Sequence, residues 1–251
     1  DILVWPGDLE RAVGLLCRHG YSCPDPVPGL HSRNMERQSP GILVELHERV
    51  AQAHFSIPLT DASLWKDSGT VRIVGGAVPV ASPEMNLLLL CLHGAKHVWQ
   101  RLSWVCDVLL FVRAHPHLDW DRFLTLAKEC RSVRIAHSAL LLANEVRGGC
   151  VPASVLSSAA SDSGAVSLAR KAARWLFLPK ASYRVSIQKY WFLVCMRDSV
   201  RDRLPVMRHL LGMALKPREE DRKAVRLPQS LAFLYYVVRP FRLIRKLMVA
   251  R

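Results

Sequence analysis

The chain has 251 residues, half of which are apolar, and it carries a formal net charge of +14. A chain of this length buries roughly 70–75% of the surface that its unfolded form exposes, which is enough for one large or two small cores. The uncharged stretches 85–95 and 227–238 are far shorter than the ~20 apolar residues that a membrane-spanning helix needs. The composition therefore predicts a globular protein without a transmembrane segment.

The seven cysteines form no Cys-x-x-Cys pair, and their odd number argues against a fully paired disulfide framework. Cys91, Cys106 and Cys195 stand in apolar helical patterns, where a free thiol behaves as a small hydrophobic group. We therefore expect reduced thiols and a cytoplasmic protein.

The positive charge is concentrated near the C-terminus. Residues 1–169 contain 15 Lys and Arg against 16 Asp and Glu, whereas residues 170–251 contain 20 against 5. A one-sided basic region attracts an anionic partner such as a nucleoside triphosphate, a nucleic acid or an anionic membrane surface. A solvated helical face would also account for the charge, and the sequence leaves both interpretations open.

The first 81 residues show the pattern of a small mixed sheet with one helix. A short apolar strand at the start precedes a helix that Asp8 caps and Gly20 ends. Strand patterns follow at 42–50 and 70–80, and the dipeptide Gly75-Gly76 turns the second into a hairpin.

From Ser82 onward the pattern is helical. Ser82 is an N-cap, and the apolar pattern behind it continues to about Val112, which predicts one long helix. Further helices are expected over 121–130, with Asp119 as its cap, and over 132–147, with Ser132 as its cap. Others should begin at Pro152 and span 164–178, 182–200, 202–215 and 230–249. We therefore predict an α+β fold with a small mixed-sheet domain over 1–81. A larger all-α domain with a basic C-terminal half would span 82–251.

Two acidic residues stand beside apolar strand residues. Asp1 precedes Ile2-Leu3-Val4, and Glu45 lies within Leu43-Val44-Glu45-Leu46-His47. On neighbouring strands both carboxylates can point off one face, and such a pair suits Mg²⁺, which completes its shell with substrate phosphates. We expect His47 to point to the opposite face and to be structural. Two ordinary edge-strand carboxylates are the alternative.

Several further segments are shared with a known family. They are Asp8, Ala12, Leu16, Gly20-Tyr21, Pro83-Glu84, the stretch 90–108, and, more weakly, Leu227-Pro228, Leu234-Tyr235-Tyr236 and Arg239-Pro240. With both acidic strands, they make the chain resemble the uncharacterised nucleotidyltransferase family of the DNA polymerase β-like superfamily. The resemblance implies a two-metal carboxylate site. Asp1 resembles the second Asp of an Asp-x-Asp strand, and Glu45 resembles the third carboxylate.

The family pattern also has a Gly-Ser turn and a first Asp, both of which would precede Asp1. Because the sequence begins at Asp1, we expect an N-terminally truncated copy that is a fragment of a longer protein. A decayed copy is the alternative. A two-metal site that lacks one carboxylate is incomplete, so we expect these 251 residues to be inactive in transfer.

The predicted long helix carries a polar row. His93, Lys96, His97 and Arg101 recur at helical spacing, which would place them on one face. A cation beside a buried apolar run is costly unless it meets an anion, so we expect these four side chains to bind the triphosphate opposite the carboxylates. No third ligand completes a zinc site. Two tryptophans on the same helix are expected to be core aromatics: Trp99 and Trp104.

The resemblance implies transfer of a nucleoside monophosphate from a nucleoside triphosphate to an unidentified acceptor, with release of pyrophosphate, and the carboxylates and the polar row fit this reaction. Asp1 and Glu45 would be the catalytic residues and the ligands of two Mg²⁺ ions. Two alternatives stay open. One is a non-catalytic remnant whose basic helical half binds an anionic partner, and the other is a nucleic-acid-binding protein, for which no base-reading motif stands out.

The tail over 230–251 reads as a basic amphipathic helix. Its apolar row is expected to pack on the domain, while Arg239, Arg242 and Lys246 stay available to a polyanion. The row consists of Leu234, Val237, Phe241, Ile244 and Met248.

Overall fold

The computed structural model describes residues 2–5, 7–24, 32–39, 41–50, 53–177 and 183–249. The chain forms two compact units, Asp1–Gln52 and Ala53–Arg251. Strands dominate the first unit and helices the second, so the predicted α+β fold is confirmed. The domain boundary after residue 81, which the change from strands to helices suggested, is a different division and stays a prediction.

The first unit is a three-stranded mixed sheet with one helix. Its elements are β1 (Ile2–Leu3), α1 (Leu9–Arg18), β2 (Ser32–Arg37) and β3 (Ile42–His47). The strand order is β1-β3-β2, with β1 parallel and β2 antiparallel to β3. The central strand is therefore the one that carries Glu45.

The core of this unit lies between α1 and one face of the sheet. Leu9 of α1, Met35 of β2 and Leu46 of β3 are its buried residues, and Val44 packs against them. Because side chains alternate along a strand, Val44 and Leu46 share the face that α1 covers. Glu45 lies on the opposite face.

The second unit begins with a 3-10 turn (Ala53–Phe55), a short helix α2 (Asp61–Leu64) and the hairpin β4 (Gly69–Ile73)–β5 (Gly76–Val80). The helices that follow are α3 (Pro83–Lys96), α4 (Leu102–Ala114), α5 (Trp120–Glu129), α6 (Val133–Val146), α7 (Ala153–Ser161), α8 (Ser163–Leu176), α9 (Tyr183–Cys195), α10 (Val200–Leu215), α11 (Glu219–Ala224) and α12 (Tyr235–Val249). Helix α6 packs against α3, α4, α5, α7 and α8. It is the centre of the helical core.

The single long helix predicted from Ser82 to Val112 is wrong. Helix α3 ends at Lys96, and the chain turns through Val98 and Trp99, whose φ angles are 49° and 54°. The Trp99 amide donates to the carbonyl of Gly94 at 2.9 Å. Residues from both helices are buried in the same core, so the apolar pattern continues across the break and does not reveal it.

A wholly buried arginine ties the start of α10 to the start of α6. Arg197 donates to the hydroxyl of Ser132 at 3.3 Å and to the carbonyl of Ser56 at 3.2 Å. The neighbouring Asp198 carboxylate accepts from the amides of Val133 and Arg134, both at 2.9 Å. These amides belong to the first turn of α6, so a distant carboxylate caps this helix.

The C-terminal helix α12 is attached to α11 through its basic residues, whereas the sequence predicted attachment through its apolar row. Arg239 pairs with the fully buried Asp221 at 3.0 Å, and Arg242 pairs with the same carboxylate at 3.1 Å. Val237 and Phe241, expected to pack on the domain, are 53% and 69% exposed. The predicted packing is therefore wrong for both of them, and neither arginine is available to a polyanion.

All seven cysteines are free thiols. Burial raises the pKa of Cys91 to about 12, which makes that thiol inert at neutral pH. Among the residues that the structure describes, no helix has the length and apolar character to cross a membrane.

We predict that Gly94→Ala destabilises the second unit. An added Cβ would lie 2.2–2.5 Å from ring atoms of Trp99, and this ring is only 1% exposed. Overpacking of this kind costs about 1–3 kcal/mol. Urea unfolding measures the loss.

Gly212→Ala is the matched control, because Gly212 is also helical and has no atom within 4 Å of an added Cβ. It should gain about 0.5–1 kcal/mol from helix propensity. Equal effects of the two changes would contradict the proposed contact.

We predict that Arg239→Met releases α12 from α11, because it leaves the buried Asp221 carboxylate without its closest cation. Breaking a buried ion pair on one side costs about 3–5 kcal/mol. Hydrogen exchange of α11 and α12 amides should accelerate. Arg245→Met, on the exposed side of the same helix, should leave exchange unchanged.

We predict that the second unit loses stability in mild acid. Burial and the neighbouring His209 lower the pKa of His54 to about 4, and burial also lowers the pKa of His137. Below about 6.5 the unfolded chain therefore binds protons that the folded chain refuses, so the free energy of unfolding falls as pH decreases. Urea midpoints at about pH 7 and about pH 5 measure this slope.

His137→Leu should reduce the slope of the free energy of unfolding against pH, because leucine binds no proton in either state. The change breaks no hydrogen bond of the ring, since neither ring nitrogen of His137 has a partner among the described residues. His117→Gln, at an exposed position, should leave the slope unchanged. A slope identical in all three proteins would exclude His137 as its source.

Candidate functional site

Glu45 lies on the central strand of the first unit, on the sheet face opposite α1. Its side chain is 39% exposed, and its Oε2 lies 3.5 Å from Nε2 of His47. Residues two apart on a strand share a face, so the expectation that His47 points the other way was wrong. His47 is in position to orient the Glu45 carboxylate.

The strand that follows Asp1 is the neighbour of this central strand. Ile2 lies opposite Leu46, and Leu3 lies opposite His47, in parallel register. The adjacency of the two predicted strands is therefore confirmed. Asp1 itself lies outside the described residues, and the pairing of its carboxylate with Glu45 stays a prediction.

A magnesium site needs several oxygen ligands. Within the described part of the chain, no group of three or more His, Cys, Asp and Glu side chains is arranged to hold a metal ion. Glu45 supplies one carboxylate, and the imidazole of His47 is a poor ligand for this hard cation. Of the residues described at this position, Glu45 therefore suits a magnesium site as one ligand.

A second group of predicted residues meets where α3 turns into α4. The ring of His97 stacks on Trp104 with centroids 4.9 Å apart, and His93 lies edge-on to Trp104 at 5.5 Å. The guanidinium of Arg101 lies over Trp104 at 5.5 Å. We call His93, His97, Arg101 and Trp104 the corner cluster.

The corner cluster forms for a different reason than the sequence suggested. The four residues are not on one helix face, because the chain reverses between His97 and Arg101. The reversal brings Trp104, at the start of α4, back beside the end of α3. Trp104 is half-buried, so it serves the cluster and is not the fully buried core aromatic that was predicted, whereas Trp99 is.

Lys96 occupies the last turn of α3 and is half-buried. The carbonyl end of a helix carries a partial negative charge that stabilises a cation in this position. Arg101 is exposed immediately before α4. Both cations are therefore placed at the corner by local helix geometry.

Sequence reasoning missed two contacts at these sites. The contact between His47 and Glu45 was readable from the two-residue spacing alone. The contact between Trp104 and His97 could not be predicted from spacing, because seven residues within one helix would separate the two rings by two turns. Only the break after Lys96 brings these rings together.

Residues 1–148 match the model of a protein family described as uncharacterised nucleotidyltransferase. The chain belongs to this family. Comparisons with curated proteins and with solved structures gave no match.

The match to the nucleotidyltransferase family includes Glu45, Lys96 and the corner cluster, and it ends just after α6. The basic helices α9 to α12 lie beyond it. The weaker resemblance at Leu227-Pro228, Leu234-Tyr235-Tyr236 and Arg239-Pro240 thus lies outside the family match.

Proposed function

We propose that the chain transfers a nucleoside monophosphate from a nucleoside triphosphate to a hydroxyl or phosphate acceptor. An acceptor oxygen forms a bond to the α-phosphorus, the bond to the bridging oxygen of the β-phosphate breaks, and pyrophosphate leaves. A hydroxyl acceptor releases its proton to solvent. The observation that carries the proposal is Glu45, partly exposed on the strand beside β1 in a chain of the nucleotidyltransferase family.

Glu45 is proposed as a metal ligand together with Asp1. Bound Mg²⁺ would supply neutralisation of phosphate charge and alignment of the reacting oxygens. The imidazole of His47, 3.5 Å from the carboxylate, would hold Glu45 in one orientation. Partners of this kind commonly fix the geometry of metal ligands.

Lys96, Arg101, His93 and His97 are proposed to bind the triphosphate. Arg101 offers a planar set of donors that matches phosphate oxygens in a bidentate fashion. Its contact with Trp104 limits the conformational freedom that binding would otherwise remove. Lys96 adds a compact positive charge, which stabilises negative charge that develops on the leaving pyrophosphate.

Nucleotide binding tests the phosphate-binding residues directly. Each of the four common ribonucleoside triphosphates is titrated with Mg²⁺ into the 251-residue chain by calorimetry. Lys96→Ala should weaken binding, because it removes a cation without removing core volume. Lys128→Ala, at an exposed position in the last turn of α5, is the matched control and should bind as the unchanged chain does.

Turnover tests the metal ligands. Pyrophosphate release is measured with the 251-residue chain, which should show none above background, and with any longer form that the gene encodes, called the extended protein. In the extended protein, Glu45→Gln should abolish release, and Lys96→Ala should reduce it by about 10²–10³-fold. Glu36→Gln changes an exposed carboxylate of the same sheet and should have no effect.

The outcomes separate the proposed enzyme from the non-catalytic alternative. Nucleotide binding that needs Lys96, without pyrophosphate release by the extended protein, would favour an anion-binding remnant. Release by the extended protein that survives both Glu45→Gln and Lys96→Ala would remove both residues from the mechanism.

A further inference from the structure

Helix α10 exposes a continuous apolar row. Its members recur at spacings of four, three, four and four residues, which places them along one side of the helix. They are 37–69% exposed: Val200, Leu204, Met207, Leu211 and Leu215. Isolated exposed apolar residues are ordinary, whereas a contiguous exposed row marks an interaction surface.

A basic row runs beside the apolar one. Arg201 and Arg208 each follow a member of the apolar row by one residue within the helix, and Lys216 directly follows the end of the helix. All three are exposed. The single acid of the helix, Asp202, is 3% exposed and accepts from Arg131 at 3.1 Å and from Ser199 at 2.6 Å. The exposed side of α10 therefore carries cations and no anion.

Other acidic residues of the C-terminal region are also engaged in hydrogen bonds or ion pairs. Asp198 caps α6, and Asp221 is buried against Arg239. Glu220 pairs with Arg242 at 2.8 Å. Four of the five acids in residues 170–251 are therefore paired or cap a helix, which leaves the exposed surface of α10 cationic.

We propose that α10 docks on an anionic membrane surface. A helix whose apolar side is bordered by Lys and Arg lies in the interfacial plane, with the apolar row among acyl chains and the cations at lipid headgroups. The exposed face of α10 has this composition over 16 residues. Charge complementarity selects anionic lipid, because the face offers positive charge and no acid to a partner.

Vesicle sedimentation tests the proposal with the 251-residue chain at about 0.15 M salt. Phosphatidylcholine vesicles containing about one third phosphatidylserine should bind the chain, because each cation near such a surface contributes to affinity. Phosphatidylcholine vesicles alone should bind it poorly.

Two variants separate the apolar and the electrostatic contributions. Leu204→Gln with Leu211→Gln should weaken binding about tenfold or more, because both side chains are more than half exposed and would enter the lipid. Arg201→Gln, Arg208→Gln and Lys216→Gln together should weaken it roughly 10²-fold.

Matched controls lie on other helices. Leu110→Gln changes a residue of α4 that is 58% exposed, as Leu204 is. The triple change of Arg113, Lys128 and Arg147 to Gln removes three exposed cations from elsewhere in the second unit. Both controls should bind vesicles as the unchanged chain does, and circular dichroism confirms that every variant is folded.

The proposal is overturned if anionic vesicles bind no better than neutral ones, or if the α10 variants bind as well as the controls. Analytical ultracentrifugation addresses the other occupants of the face. Self-association that Leu204→Gln with Leu211→Gln abolishes, in a chain that ignores vesicles, would assign the face to a second copy and also overturn the lipid proposal.

Discussion

The packing of Trp99 on Gly94 is the constraint on which the helical unit depends. The indole occupies the space that a Cβ at position 94 would need, so only glycine permits the ring to fold back on α3. The Trp99 amide closes the turn on the Gly94 carbonyl. Helix α3 therefore ends at Lys96, and α4 returns along the same core. The backbone strain of two residues at positive φ is offset by burial of the Trp99 indole in the core.

This reversal links packing to the candidate site. Had the chain continued as one helix, the corner cluster could not form, because Trp104 would lie two turns beyond His97. The turn instead brings three rings and a guanidinium together at one end of α3. The residues proposed to bind phosphate are thus positioned by a core contact that none of them makes.

Charge plays two opposite roles in the C-terminal helices. Arg197, Arg239 and Asp221 are buried and hold segments together through ion pairs and hydrogen bonds. Such pairs specify geometry more than they add stability, since desolvation offsets much of their attraction. Because Asp202 is buried and paired with Arg131, the exposed cations of α10 have no exposed acid on the same helix. The same residues that order these helices therefore make their surface basic.

The sequence alone determined the features that depend on near neighbours. Ser82 accepts from the Met85 amide at 3.2 Å and Asp119 from the Arg122 amide at 2.9 Å, as their positions before α3 and α5 predicted. Such caps join residues three apart, so local sequence can suggest them. It does not guarantee them, because Asp8, the predicted cap of α1, makes no side-chain capping bond. The strand assignment that placed Glu45 beside β1 was likewise readable from apolar alternation.

Tertiary structure decided everything that needed a distant partner. Ser132 was expected to cap α6, yet its hydroxyl bonds to Cys130 and the cap is supplied by Asp198, 65 residues away. The buried Arg239 and the exposed Phe241 invert the amphipathic prediction for α12, because Asp221 gives the arginine a partner that no helical period reveals. Hydrophobic periodicity reports which side chains prefer burial. Whether a particular side chain is buried depends on the segment that folds against it.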